Sequence, residues 1–360
     1  MRRWPALVIA LVVAGYTSSG EPTAGSSSPA AGPSSQPPPP SAFPSPAPVA
    51  RDLTLAFAGD VHFAGRVESR LTTSPADVLG PIGAVLASAD IAMANLESAV
   101  TERGTPEPKQ FHFRAPATAL AALRAEGVDV VSLANNHGVD YGRTGLEDTL
   151  AAIRDTGVPV IGIGADAAQA YSPHVVTVRG TRVALLAASQ VPDRTLAAWT
   201  ASANEPGIAS AYEVDRLVGA VRAARTRADV VVVYLHWGDE GESCPTAVQR
   251  SVAGRLAAAG ADAVVGTHAH LLLGGGWDDR TYVAYGLGNF LWWRDNAHSN
   301  DTGVLTLRVR ANRVVGATLS PARIDGAGVP QPVAGEAAAR IQAKFAELRS
   351  CAYLSAIPPG

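Results

Sequence analysis

Residues 230–238 read Val-Val-Val-Val-Tyr-Leu-His-Trp-Gly, an apolar run that ends at His236. A short run so rich in β-branched residues predicts a strand that is buried on both faces. The pattern recurs at residues 53–62, 128–137 and 263–270, and each of these runs ends in Asp, Asn or His. Polar groups at the carboxyl ends of such strands lie at one edge of a sheet, where open α/β folds build their sites.

The alternation of strand-like and helix-like segments along residues 51–360 predicts an α/β fold. Helices are predicted over residues 75–88, 143–155 and 247–259, and a strand is predicted over residues 158–163. Several hairpins interrupt the alternation. A sandwich of two mixed β-sheets flanked by helices (an α+β sandwich) therefore explains the pattern better than a purely parallel sheet does.

The N-terminal residues are expected to direct the chain out of the cytoplasm. Residues 1–15 combine two arginines with an apolar run that is too short to span a bilayer, which is typical of a secretory signal. Tyr16 stands where a bacterial lipoprotein signal has Cys. An ordinary signal, a retained anchor and a lipoprotein relative that has lost its Cys all stay open. The protein is expected to be secreted or tethered to the cell envelope, with membrane contact only through this segment.

Residues 16–50 are predicted to form a disordered tether, and residues 51–360 to form one folded domain. Residues 21–50 contain ten prolines, seven serines and a single charged residue, so they cannot bury a core. The formal net charge of the chain is −3 and no basic stripe is present, which argues against nucleic acid as a partner. Cys244 and Cys351 would be able to pair in an oxidising compartment, and the sequence leaves that pairing open.

The spacing of the strand-end residues indicates metal binding. Asp60 and His62 are two residues apart, as are His268 and His270. Because side chains alternate in an extended chain, the members of each pair point to the same side and can reach one ion. One such pair alone would more simply be a turn residue with a surface histidine. The joint occurrence of all the clusters, which also include Glu97, indicates a hydrolytic site with two divalent metals.

These clusters also resemble a known superfamily. The order Asp-x-His, acidic motif, Asn-His, His and Gly-x-His-x-His resembles that of the calcineurin-like metallophosphoesterases. Within it, residues 135–142 (Asn-Asn-His-Gly-Val-Asp-Tyr-Gly), 236–238 (His-Trp-Gly) and 285–290 (Tyr-Gly-Leu-Gly-Asn-Phe) resemble the CapA family of bacterial poly-γ-glutamate capsule synthesis and export. The resemblance covers residues 53–290, and the stretch at 135–142 is its most specific part.

The resemblance implies two divalent ions, and Mn, Fe and Zn all suit a ligand set without thiolate. Glu97 is expected to bridge the ions, although the superfamily has the Asp of a Gly-Asp pair there. His137 is expected to act as the general acid toward the leaving group. The other expected ligands form one group of three for each ion: Asp60, His62 and His270 for the first, and Asn136, His236 and His268 for the second.

Several nearby residues have two open interpretations. Asp140 would be either the hydrogen-bond partner of a site histidine or a helix N-cap. Lys109 would reach a substrate anion or, more simply, be a solvated charge, and the same holds for Arg114. The glycine-rich residues 286–289 would cradle an oxyanion or form a tight turn. The tryptophans at 237, 292 and 293 would line a cleft or pack in the core.

Three functions remain after these observations. The first is an exported metal-dependent hydrolase acting on phosphoester bonds or on bonds of an envelope polymer. The second is a non-catalytic, metal-containing partner of a polymer synthesis or export complex. The third is a polymer-binding module without metal. Each of the three implies a cell-envelope polymer, or the machinery that makes or exports it, as the partner.

Overall fold

The computed structural model describes residues 52–358. The predicted signal at residues 1–15 and the predicted tether at 16–50 therefore lie outside the described residues, and both stay predictions. Within residues 52–358, none of the helices has the length and apolar character that a membrane span requires.

The described elements alternate along the chain as the sequence predicts. The strands are β1 (Leu53–Val61), β2 (Ile91–Leu96), β3 (Ala99–Val100), β4 (Arg114–Ala115), β5 (Val130–Ser132), β6 (Val160–Ile161), β7 (Ile163–Gly164), β8 (His174–Val178), β9 (Thr181–Ser189), β10 (Gly207–Ile208), β11 (Val230–Trp237), β12 (Ala263–His268), β13 (Gly275–Asp278), β14 (Thr281–Ala284), β15 (Asn289–Leu291), β16 (Asp301–Arg310), β17 (Arg313–Ile324) and β18 (Pro330–Pro332). The helices are α1 (Arg70–Thr73), α2 (Gly83–Ala87), α3 (Thr118–Ala125), α4 (Gly142–Thr156), α5 (Ala167–Ala170), α6 (Arg194–Trp199), α7 (Val214–Arg225), α8 (Ala247–Ala259), α9 (Gly335–Glu347) and α10 (Arg349–Ala352).

Two large sheets form the body of the fold. The first has eight strands in the order β18-β17-β16-β1-β2-β5-β6, with β15 paired to β1. The second has six strands in the order β13-β14-β12-β11-β9-β8. Each sheet has a parallel centre and antiparallel strands at an edge, β16 to β18 in the first and β13 and β8 in the second. The predicted sandwich of two mixed sheets flanked by helices is confirmed.

Strand β11 shows why the sequence packs in this way. Val232 and Tyr234 belong to the core that also contains Phe57 of the first sheet, whereas Val233 and Leu235 belong to the core beneath α7 and α8. Because successive side chains of a strand point to opposite faces, an unbroken apolar run is needed where both faces are covered. The run at residues 230–235 meets that requirement.

Two local predictions are wrong, and both fail at a glycine. The helix predicted over residues 75–88 is reduced to α2, because Gly80 has a φ of +68° and Pro81 lacks a backbone N–H. The strand predicted over 158–163 is divided into β6 and β7 at Gly162, whose φ is +83°. A Cβ on Gly162 would lie 2.3 Å from the Cβ of Ala134, so the chain turns where the two backbones meet closely.

The helices predicted over 143–155 and 247–259 are confirmed as α4 and α8. Helix α8 begins with a capping box between Thr246 and Gln249 and ends at Gly260. The pairing that the sequence left open is present, since Cys244 and Cys351 form a disulfide with a Cα–Cα distance of 5.8 Å. This bond joins the loop after β11 to helix α10.

Candidate metal centre

The predicted site residues meet where the carboxyl ends of strands from both sheets face each other. In the first sheet, Asp60 is the second-last residue of β1 and Glu97 directly follows β2. In the second sheet, His236 is the second-last residue of β11 and His268 is the last residue of β12. All four side chains are buried, with at most 4% of their surface exposed. Parallel pairing brings the carboxyl ends to one edge within each sheet, and the shared core between the sheets brings the two edges together.

Glu97, His268 and His270 form a group that is able to hold a metal ion. One ligand atom from each of these residues lies within 4.8 Å of the other two. Oε2 of Glu97 is buried and has no hydrogen-bond partner among the described residues. A buried carboxylate oxygen without a partner is costly, and a divalent cation would satisfy it.

The three residues expected to bind the second ion also converge. Nε2 of His236 lies 2.8 Å from Oδ1 of Asn136 and 3.1 Å from Nδ1 of His268. Oε1 of Glu97 is 3.4 Å from the same Nε2 atom. The oxygen and nitrogen atoms of these four side chains match the donor set that Mn, Fe and Zn accept, so the residues fit a divalent metal.

Asp60 is held in place by backbone and side-chain hydrogen bonds. Its Oδ1 accepts from Nδ2 of Asn95 at 2.8 Å, and its Oδ2 accepts from the backbone N–H of His268 at 3.1 Å. Nδ1 of His270 is 3.9 Å from the same Oδ2. The backbone N–H of Asp60 donates to the carbonyl of Gly288 at 2.9 Å, and Gly288 has a φ of +67°. Residues 286–289 thus lie against the end of β1, and the choice between an oxyanion cradle and a tight turn stays open.

His62 is buried beside this group, but its ring is turned toward the backbone. Nδ1 lies 3.2 Å from the backbone nitrogen of Ala64, and Nε2 lies 3.3 Å from that of Trp293. The ring also stacks on Phe113 with centroids 4.5 Å apart. A neutral imidazole has only one acceptor nitrogen, so only one of these two hydrogen bonds forms at a time. The role of His62 as a ligand stays a prediction.

Burial and neighbouring charges set the protonation of the site. Burial lowers the pKa of His268 and His62 well below the ordinary value, and nearby histidines lower both further. These two rings are therefore neutral, as metal ligands must be. Burial also opposes charge on His236, but Asp60 and Glu97 outweigh it and raise the His236 pKa to about 9. Burial opposes charge on Asp60 as well, and His236 outweighs it, so the pKa of Asp60 is lowered. An ion bound at His236 would therefore have to displace a proton.

His137, the predicted general acid, lies next to this centre rather than within it. Its Nδ1 is 2.6 Å from Oδ2 of Asp140, and its Nε2 is 3.9 Å from Oε1 of Glu97. Helix α4 has Tyr141 as its N-cap, and no side chain caps it. Asp140 is thus the hydrogen-bond partner of His137 and not a cap.

Lys109 is largely covered, and the prediction that favoured a solvated charge is wrong. Its side chain is only 12% exposed, and Nζ lies 2.5 Å from Oδ1 of Asp140. Nζ also donates to the backbone carbonyl of Asn136 and lies 3.6 Å from Oδ2 of Asp193. The lysine therefore joins three loops around the site. Arg114 is exposed, and its guanidinium lies over the ring of Tyr141.

Two asparagines that were not predicted as ligands, Asn135 and Asn289, hold the site together by hydrogen bonds. Nδ2 of Asn135 donates to Oδ1 of Asn95 at 3.0 Å and to the carbonyl of Leu96 at 2.8 Å. Oδ1 of Asn289 lies 2.9 Å from Nδ1 of His270, so that ring can donate there and keep Nε2 free for an ion. Both asparagines lie in stretches that resemble the CapA family, at 135–142 and 285–290, but nothing in the sequence points to these hydrogen bonds.

An open cleft of about 310 Å³ leads to the centre. His137 and His270 line it, together with the aromatic side chains of Phe111, Trp292 and Trp293. Two of the three tryptophans thus line a cleft. Trp237 packs in the core against Tyr285, with ring centroids 5.7 Å apart.

A fold of two mixed sheets with this polar centre defines an α/β protein with a candidate metal site between its sheets. Residues 54–292 match the family described as bacterial capsule synthesis protein PGA_cap, and the chain belongs to that family. The matched region contains every residue that the sequence analysis assigned to metal binding or catalysis.

Curated proteins from three bacteria are similar to this chain. The PGA biosynthesis protein CapA of Bacillus subtilis is 28% identical over 287 residues, which cover 78% of this chain and 74% of the relative. The capsule biosynthesis protein CapA of Bacillus anthracis is 28% identical over 290 residues, covering 78% of this chain and 69% of the relative. A probable polyglutamine synthesis accessory protein of Mycobacterium tuberculosis is 31% identical over 229 residues, covering 59% of each chain.

Solved structures align at lower similarity. A hypothetical protein from Thermus thermophilus aligns with a TM-score of 0.47 and 18% identity, over 78% of this chain and all of that one. The NAD nucleotidase of Haemophilus influenzae aligns with a TM-score of 0.45 and 12% identity, over 86% of this chain and 65% of that one.

Proposed function

We propose that this protein is a metal-dependent hydrolase that takes part in capsule or poly-γ-glutamate synthesis or export at the bacterial envelope. The observation that carries the proposal is the convergence of Glu97, His268 and His270, with His137 next to Glu97 and both His137 and His270 lining an open cleft. The proposed cofactor is a pair of divalent ions, and the proposed target is a phosphoester bond or a bond of an envelope polymer.

Bound ions would supply an activated water and stabilise negative charge on the leaving oxygen. The chain's own residues supply the proton. Asp140 accepts the hydrogen bond of the His137 ring at Nδ1, which leaves Nε2 to carry the proton toward the cleft. Lys109 neutralises Asp140 on its other side, which keeps the buried carboxylate in place.

The cellular setting is part of the proposal. Two relatives carry the printed descriptions "PGA biosynthesis" and "Capsule biosynthesis" protein, which supports a role beside a polymer synthesis or export machinery. The charged and apolar pattern of residues 1–15 and the proline-rich stretch that follows support export and tethering at the envelope. No observation favours nucleic acid as a partner.

Elemental analysis of the purified chain tests the proposal first. We expect about two divalent ions per chain in the wild type and fewer in an Asp60→Ala/His270→Ala double variant. A screen with phosphodiesters, phosphomonoesters and γ-glutamyl polymer then tests turnover. A chain that binds no metal after incubation with Mn or Zn would contradict the metal site and favour the metal-free binding module.

A non-catalytic, metal-containing partner is the second candidate. The observation that favours it is the orientation of His62, whose ring nitrogens face the backbone rather than Asp60 and His270. If His62 does not bind metal, only the position formed by Asn136, His236 and His268 would hold an ion. A single ion there would serve structure or binding rather than hydrolysis. One ion per chain without turnover on any of these substrates would support this candidate and contradict the first.

A further inference from the structure

The wall of the cleft contains a cation without a partner. Arg294 lies in the loop after β15, and its guanidinium is 4.2 Å from the ring centroid of Trp293 and 4.7 Å from that of Phe111. Within residues 52–358, this guanidinium makes no ion pair and no hydrogen bond, and the side chain is exposed at the cleft. The guanidinium of Arg66, in the same part of the structure, is by contrast fully engaged with backbone carbonyls.

Hydrogen bonds from Arg66 fix the backbone around Arg294. Arg66 donates to the backbone carbonyls of Trp292 at 3.0 Å, Gly326 at 3.0 Å and Arg294 at 2.6 Å. The loop backbone is therefore pinned while the guanidinium of Arg294 stacks on two aromatic rings. A guanidinium that is already ordered loses less conformational entropy when it binds an anion.

The charges that line the cleft differ from one side to the other. Arg294 lies beside Phe111 and Trp293, whereas the carboxylate of Glu240 is 3.8 Å from Nε2 of His270. An anionic group of a substrate would be repelled by Glu240 and attracted by Arg294. The two aromatic rings hold the guanidinium at the cleft by cation–π contacts while its N–H groups stay open to a ligand.

We propose that Arg294, stacked on Trp293 and Phe111, is the subsite that binds an oxyanion of the substrate, and that it makes the protein specific for anionic substrates. This inference deepens the proposed function and rests on it. Arg presents its N–H groups as a fork that matches the two oxygens of a carboxylate or a phosphate. A γ-linked glutamate chain carries a free carboxylate on every residue, and a phosphodiester polymer carries a phosphate in every unit.

The test measures binding rather than turnover. The purified full chain is titrated by calorimetry with a γ-linked glutamate pentamer and, separately, with a glycerol-phosphate pentamer, and chromatography verifies that each ligand is intact afterwards. Arg294→Gln is expected to raise the Kd of one ligand about tenfold or more, since a hydrogen bond to a charged group is lost. Arg294→Lys is expected to restore part of the affinity, because it keeps the charge and loses the fork.

Arg250→Gln is the matched control. Arg250 also stacks on an aromatic ring, with its guanidinium 5.2 Å from the centroid of Tyr353, but it does not line the cleft. This substitution is expected to leave both Kd values unchanged. Weaker binding of the glutamate pentamer alone assigns the subsite to carboxylates, and weaker binding of the phosphate pentamer alone assigns it to phosphates.

Two outcomes would overturn the inference: neither ligand binds the wild-type chain, or Arg294→Gln binds both as tightly as the wild type does. The proposed function fails separately. A wild-type chain without metal or turnover whose binding still depends on Arg294 would contradict the hydrolase and retain the subsite. A chain that hydrolyses an anionic substrate equally well with Gln at position 294 would retain the hydrolase and contradict the subsite.

Discussion

Nε2 of His236 lies 2.8 Å from Oδ1 of Asn136, and this contact joins the two sheets of the protein. His236 belongs to β11 of the second sheet, whereas Asn136 follows β5 of the first. The candidate metal centre therefore exists only when the two sheets are packed together. A bound ion would stabilise the folded chain by its preference for this packed state.

Replacing His236 with alanine is expected to remove metal without unfolding the protein. His236 contacts both Asn136 and His268. Its replacement removes one of the three predicted ligands of the second ion and the contact that joins the other two. We expect elemental analysis to find about one ion fewer per chain. His174→Ala is the control, because His174 is a half-buried histidine on β8 away from the centre. Equal metal content in His236→Ala and His174→Ala would contradict the assignment.

Replacing Asp140 with asparagine is expected to slow hydrolysis and leave the metal content unchanged. Asp140 accepts from the backbone N–H of Phe113 at 2.6 Å and holds Nδ1 of His137, so asparagine disturbs the orientation of the ring. We expect turnover to fall about tenfold to a hundredfold.

Asp148→Asn is the matched control for Asp140→Asn. Asp148 also pairs with a basic residue, Arg103, but it is half-buried on helix α4 and does not line the cleft. Its replacement is expected to leave turnover unchanged. Two results would contradict a role of Asp140 through His137. One is a loss of metal from the Asp140→Asn variant, and the other is turnover by that variant at the wild-type rate.

Replacing Gly59 with alanine is expected to destabilise the protein and displace Asp60. A Cβ at this position would lie 2.0 Å from the carbonyl oxygen of Gly288, which accepts the hydrogen bond of the Asp60 backbone. The clash is with the backbone of Gly288, which cannot move aside as the end of a flexible side chain can. We therefore expect the free energy of unfolding to fall by about 2 kcal/mol or more. Urea unfolding measures this loss, and metal content is expected to fall with it.

Gly219→Ala is the opposite case and serves as the control. Gly219 lies inside α7, and a Cβ there has open space around it. Alanine favours a helix over glycine, so we expect a gain of about 0.5 to 1 kcal/mol. A loss of similar size in both variants would show that the close approach at Gly59 is not what matters.

The sequence predicts those parts of the fold and site that depend on local patterns. The unbroken apolar run of β11 can be satisfied only by a strand covered on both faces, and the buried ends of β1, β2 and β12 follow from the same argument. Parallel strands share an edge, which explains why His236 and His268 meet within the second sheet, whereas the approach of Glu97 from the first sheet depends on how the two sheets pack.

Other parts depend on contacts between distant segments and leave no periodic signal. Lys109 lies in a loop, and its burial follows from Asp140 and Asp193 in two other loops. The orientation of His62 depends on the backbone of Trp293, which is far away in the chain. A hydrophobic pattern describes which residues are covered, but it does not describe which loop covers them.

Removal of the Cys244–Cys351 disulfide is expected to lower stability and leave the metal centre intact. The bond closes a segment of 107 residues between the loop after β11 and helix α10. Cross-linking residues so far apart restricts the unfolded chain, and its loss is expected to cost about 2 to 4 kcal/mol. Urea unfolding of a Cys244→Ser/Cys351→Ser variant measures the cost.

The same double variant also provides the control for reduction. A reducing agent is expected to destabilise the wild type to the level of the variant and to have no effect on the variant itself. Equal stability of the oxidised wild type and the variant would show that the bond does not restrain the chain.

The Arg182–Asp229 ion pair is expected to make stability depend on pH in the acid range. The hydrogen bonds from Arg182 outweigh burial and lower the pKa of Asp229 from 3.8 to about 2. Since the pKa is lower in the folded state than in the unfolded state, the ionised carboxylate stabilises the fold above pH 3.8, and this contribution is lost as the pH falls through about 2. Arg182 belongs to β9 and Asp229 immediately precedes β11, so the pair joins neighbouring strands.

Asp229→Asn is expected to lower the Tm at pH 7 and to match the wild type near pH 2, when both are measured by thermal unfolding across this range. The difference at pH 7 is expected to be small, because the pair is largely solvated. Arg182→Gln added to Asp229→Asn is expected to cause little further loss, since the partner is already gone. A Tm difference that stays constant from pH 7 to pH 2 would show that the effect of Asp229→Asn comes from packing rather than from the charge.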